Sequence, residues 1–137
     1  MKAPALVAVD RTPESFASLF AAAHEAGVRV GWLDLASEAA PPAELAAATS
    51  AGATKSVAAG RGRCLVLKPV AGAPVLRDLL REHFLGYALV LVRGREGKPS
   101  LAPEGESFRL DDAGATRARL LSAPELLREL CRPRYRA

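Results

Sequence analysis

At 137 residues, half of them apolar, the chain is long enough to bury a core in one domain without metals or disulfides. Its +4 charge and seven aromatics point away from an aromatic binding platform and towards helices packed on a valine-rich sheet. No apolar run approaches the ~18–20 residues of a membrane span, and the apolar opening meets Asp10 and Arg11 too soon for a signal peptide. A cytoplasmic location without membrane contact is therefore expected.

Ala5 to Val9 reads as a short buried strand ended by a turn. Thr12 is placed to cap the next helix, with Pro13 at its first position and Glu14 at its positive end. Phe16, Leu19, Phe20 and Ala23 recur at helical spacing, and Gly27 suits a left-handed end. Val28 to Leu35 completes a β-α-β unit. An alanine-rich helix follows from about Pro42 to Ser50, then two short strands joined by a turn at Gly60 to Gly62.

Pro74 to Leu85 carries the strongest amphipathic pattern, with Val75, Leu76, Leu79, Leu80 and Phe84 on one face. With the strand before it and Ala88 to Val92 after it, it forms a second expected β-α-β unit. A polar turn leads to a hairpin around Glu104 and Gly105, and Arg117 to Leu121 is a last strand. Ser122 and Glu125 form a capping box for a closing helix to about Cys131. The expected fold is a three-layer α/β sandwich of Rossmann-like type, its central sheet mostly parallel with an antiparallel edge hairpin. One domain over residues 1–131 and a short basic tail over 132–137 are expected.

Charge is unevenly spread. Residues 1–52 sum to −3 and residues 53–137 to +7, and residues 53–68 hold Lys55, Arg61, Arg63 and Lys68 with no acid. Such a patch favours an anionic partner, either a nucleotide-like ligand or an acidic protein surface. Those four bases, with Asp10 at the strand end, are the expected ligand-binding residues. The tail offers an alternative, since Arg132, Arg134 and Arg136 interleaved with Tyr135 have the composition of a nucleic-acid contact.

Asp10 and Asp34 both close apolar strands, expected to be neighbours in a parallel sheet, at the edge where open α/β folds bind ligands. A third reading is thus an enzyme holding a divalent metal between them. Catalytic motifs are otherwise absent. G-R-G-R lacks the third glycine of a dinucleotide loop, A-G-A-T-K-S lacks the glycine before lysine of a phosphate loop, and no G-x-S-x-G occurs. His24 and His83 lie on different helices without a third metal ligand. The balance favours a non-catalytic protein, and no cofactor is named by the residues. Cys64 and Cys131, each in an apolar pattern, read as small buried thiols. A free strand edge would also allow a homodimer.

The stretch L-V-A-V-D-R-T-P-E-S-F-A-S-L-F-A-A-A-H-E-A-G-V-R-V resembles the opening of universal stress protein domains, in which an apolar strand ends in aspartate before a small turn and an alanine-rich helix. The resemblance covers about 35 residues and implies an α/β fold with Asp10 near the adenine of bound ATP. ATP-binding members also carry Gly-x-x-Gly, a nine-residue spacer, then Gly and a hydroxyl residue. Gly60 and Gly62 do not match that spacing, so the resemblance implies the fold alone.

Overall fold

The structure, a computed structural model, describes residues 2–135. The chain clusters into two compact units, Met1–Ala36 with Val75–Ala137 and Ser37–Pro74, where composition alone argues for one.

The larger unit is built on a six-stranded sheet. Its strands are β1 (Ala5–Val9), β2 (Val30–Asp34), β5 (Leu89–Arg93), β6 (Ser100–Glu104), β7 (Ser107–Asp111) and β8 (Arg119–Leu121). They lie in the order β2-β5-β1-β6-β7-β8. The first three pairings are parallel, and the β6-β7 and β7-β8 pairings are antiparallel.

Alternation along the strands divides the side chains between two faces. Ala5, Val7 and Val9 of β1, Leu89 and Leu91 of β5, and Leu101, Phe108 and Leu110 of the β6-β7 hairpin share one core. It is covered by α1 (Ala17–Glu25) and α4 (Ala123–Leu130), through Leu19, Ala23, Leu126 and Leu130. Phe16 stacks on Phe108 at 6.1 Å between ring centroids. On the other face Leu6, Val90 and Val92 meet Leu80 of α3 (Leu76–His83). Helices on both faces of a mostly parallel sheet make the expected three-layer α/β sandwich, with the antiparallel hairpin at one side.

Local choices explain the helix ends. Ser122 Oγ accepts from the Glu125 backbone N–H while Glu125 accepts from the Ser122 N–H, which completes the capping box. Thr12 holds the extended backbone of a cap, yet its side chain does not cap the 3-10 turn Pro13–Phe16 that precedes α1. Glu14's own backbone N–H, then the Thr12 hydroxyl and the Arg93 charge, hold the Glu14 carboxyl below its ordinary range. At Gly31 of β2, an added Cβ would lie 2.5 Å from Phe84 Cε1, so only glycine lets this ring close over the strand.

The smaller unit contains α2 (Ala43–Ser50), β3 (Ser56–Gly60) and β4 (Arg63–Leu67). The two strands form a separate antiparallel sheet. Leu45 of α2 is buried, and its carbonyl accepts from Ser56 Oγ at 3.3 Å. Gly62 takes φ +80° at the turn, a left-handed value that favours glycine.

Two topological expectations are corrected. The strand before α3 is β4, which pairs only with β3, so α3 does not join two strands of one parallel sheet. Nor are β1 and β2 neighbours, because β5 lies between them. The reason is burial: Leu89, Val90, Leu91 and Val92 are each fully enclosed, a requirement only an interior strand meets. The half-buried β2 takes the sheet edge.

Candidate functional site

The structure divides the expected ligand-binding residues. Asp10 follows β1 in the larger unit, while Lys55, Arg61, Arg63 and Lys68 all belong to the smaller one.

In the smaller unit, cross-strand register sets the chemistry. Val57 faces Val66 and Ala59 faces Cys64, on the side of the ribbon opposite Ser56, Ala58 and Leu67. Ser56, Ala58 and Leu67 are half-buried, whereas Val57 and Val66 remain 54% and 53% exposed. Lys55, Arg61, Arg63 and Lys68 are exposed. Alternation puts Lys55 and Lys68 on the stripe's face, Arg61 at the turn, and Arg63 with the 40% exposed Leu65 on the face of Ala58 and Leu67. Cys64 is exposed as well, which corrects the buried-thiol reading. A two-stranded ribbon with one face on α2 must leave alternate residues outside, and Cys64 occupies such a position. Cys131 is half-buried.

In the larger unit, the carboxyl end of β1 opens into a crevice of about 300 Å³. Its origin is the stagger between β1 and β6, whose only paired residues are Ala8 and Ser100. The β6-β7 hairpin therefore continues past the end of β1, and residues 94–99 cross that end to connect β5 with β6. Asp10, Arg95, Glu96, Arg109 and Asp111 line the space. Lys98 Nζ reaches Asp111 Oδ1 at 3.0 Å. Asp10 is 3.8 Å from Arg11 and keeps 87% of its side chain exposed. Arg95, Glu96, Arg109 and Asp111 carry no sequence motif, and only the topology brings them together.

Asp34 is elsewhere. Its Oδ1 accepts from the Ala36 backbone N–H at 2.9 Å, a local turn bond. With β5 between β1 and β2, the two aspartates are two strand spacings apart, about 9.5 Å between backbones. The expected adjacency of the Asp10 and Asp34 strands is therefore corrected by the strand order. Among the described residues no group of three His, Cys, Asp or Glu side chains could hold a metal.

In the tail, the expected stacking role of Tyr135 is corrected. Tyr135 is 7% exposed and belongs to the core under α1 and α4, so its ring is not presented for stacking on a base. Its hydroxyl donates to the Asp112 carboxylate, accepts from Arg119 at 2.9 Å and lies 3.2 Å from Glu129. Arg119 also bonds Glu129 at 3.0 Å, and its guanidinium is held more basic than usual, chiefly by that bond. Arg132 pairs with Glu129 at 3.3 Å. The Arg134 side chain and Arg136 lie outside the described residues. Among those residues, no helix is long and apolar enough to cross a membrane.

No family model matches the chain, and neither does any curated protein. Among solved structures it is similar to the crystal structure of Bacillus subtilis MobB, with a TM-score of 0.50 and 18% identity over 74% of this chain and 69% of that one. At that identity the likeness concerns the fold. The loop after β1 here reads Asp10-Arg11-Thr12-Pro13-Glu14, without the glycines and the Lys-Ser/Thr end of a phosphate-binding loop. The chain is thus an α/β protein of mostly parallel sheet, with an open crevice at the carboxyl end of its first strand.

Proposed function

We propose that this chain is a non-catalytic docking protein that receives an acidic protein surface on its β3-β4 ribbon. The observation that carries the reading is the exposed Val57–Val66 stripe, with Lys55 and Lys68 on the same face of the ribbon and Arg61 and Arg63 exposed at its turn. Apolar residues left outside a small ribbon favour a covering partner. Four bases without an acid among them select an acidic one, and they speed its encounter. A membrane is disfavoured because the turn Gly60-Arg61-Gly62 carries no Trp, Phe or Leu to insert. Nucleic acid is disfavoured because the ribbon has no aromatic ring for stacking.

The test attaches an environment-sensitive fluorophore to Cys64 in a Cys131→Ser background. The labelled full chain is titrated with a synthetic peptide of alternating glutamate and valine. The expected result is saturable binding that weakens about tenfold between 50 and 250 mM salt, since exposed ion pairs are screened over that range. The double variant R61E/R63E should abolish it. Equal binding of a lysine-valine peptide, or no response at all, refutes the reading.

A further inference from the structure

We propose that the crevice at the carboxyl end of β1 binds a small phosphorylated polyhydroxyl compound, a sugar phosphate in chemical class, through Arg95 and Arg109 at the phosphate and Asp10 and Glu96 at the hydroxyls. The site lies wholly in the larger unit and is independent of the ribbon.

Arg95, Arg109, Asp10 and Glu96 line one concave space, yet neither arginine pairs with either carboxylate. Among the described residues Arg95 and Arg109 make no ion pair or side-chain hydrogen bond. The fifth charged lining residue, Asp111, already has Lys98 at 3.0 Å. Two cations and two anions thus share a crevice without neutralising one another. Asp10 has only the long 3.8 Å contact with Arg11, which does not line the crevice. A ligand that presents a dianion to the arginines and hydroxyl donors to the carboxylates would engage all four.

Topology supplies the reason for this mixed lining. Leu101, Phe108 and Leu110 turn into the core, so Ser100, Ala102, Arg109 and Asp111 alternate to the opposite face of the sheet. The core on that face is formed by strands β1, β5 and β2 with α3. The crevice therefore opens where the helix-covered part of this face gives way to polar strand residues. Arginine supplies planar forks suited to the oxygens of a phosphate. Carboxylates accept from hydroxyl groups, as acidic residues at strand ends do for ribose in other α/β folds.

Size and lining narrow the class. About 300 Å³ is at the lower end of small-ligand sites, too little for a dinucleotide. No aromatic residue lines the crevice, so a nucleobase would find no stacking surface there.

Isothermal titration of the full chain with ribose 5-phosphate, inorganic phosphate, ribose and adenosine monophosphate tests the proposal. Ribose 5-phosphate should bind with a dissociation constant below about 1 mM. Inorganic phosphate should bind about tenfold more weakly, ribose should not bind, and the adenine should add nothing. R95A and R109A should each weaken ribose 5-phosphate about tenfold. R95K and R109K, which keep the charge and lose the fork, should lie between. D10N should lower affinity for the sugar phosphate while leaving that for inorganic phosphate unchanged. The ribbon variant R61E/R63E should bind ribose 5-phosphate like the parent chain, which separates this proposal from the docking role. Absence of sugar-phosphate binding overturns it, as does adenosine monophosphate binding more tightly than ribose 5-phosphate. Affinity unchanged in both R95A and R109A also overturns it.

Discussion

Replacing Tyr135 with phenylalanine removes one oxygen and tests how the C-terminal turn is held. The ring remains in the core under α1 and α4, so burial of apolar area is conserved. What is lost is a hydroxyl shared among Asp112, Arg119 and Glu129. Hydrogen bonds to charged groups contribute about 1.5–3 kcal/mol each when solvent cannot replace them. Solvent has little access here, since the Asp112 and Glu129 side chains are 16% and 8% exposed. Arg119 still reaches both carboxylates, at 3.5 and 3.0 Å, so neither is orphaned. The expected cost is therefore near the lower bound, about 2 kcal/mol. For a chain of this size that lowers Tm by about 6–8 °C in thermal unfolding followed by circular dichroism. Y135A should cost about 3–5 kcal/mol through loss of the aromatic core contact. A Tm within about 2 °C of the parent for Y135F would show that the hydroxyl network does not anchor the turn.

Two further predictions concern the larger unit. Ser122→Ala removes the cap of α4 and should cost about 1 kcal/mol in urea unfolding at neutral pH. Glu125 is held below its ordinary value of 4.5 by the Ser122 hydroxyl and backbone N–H. Its contribution is therefore present above pH 4.5 and fades as pH falls through the lowered folded value. The gap between parent and variant should narrow in acid, and a gap that widens there would contradict the capping box. Gly31→Ala drives a methyl into Phe84 and should cost about 1–3 kcal/mol. An unchanged melting temperature would mean that Phe84 moves aside freely.

Patterns local in sequence translated well into structure. The run Ala5–Val9, the amphipathic Leu76–His83 and the Ser122–Glu125 box each encode their own secondary structure, because period and capping chemistry act over a few residues. Strand order did not follow from them. Only the enclosure of Leu89–Val92 on both faces puts β5 between β1 and β2, and that depends on contacts distant in sequence. The basic run around Arg61 was readable as charge, but its separation into a different unit from Asp10 was not. Arg95 and Arg109 are not legible as a pair in the sequence, because each sits in an ordinary polar context and only the stagger of β6 brings them to one crevice. Tyr135 is the opposite case, a core residue set in arginine-rich sequence that has the composition of a surface contact.

The smaller unit enters the chain as one continuous cassette, residues 37–74, between two parts of the larger one. It contributes no strand to the six-stranded sheet. Changes to the Val57–Val66 stripe or to the length of its turn therefore leave the register of β1, β5 and β6 untouched. The surface of the ribbon and the geometry of the crevice can diverge under separate selection, and one scaffold can change either without rebuilding its core.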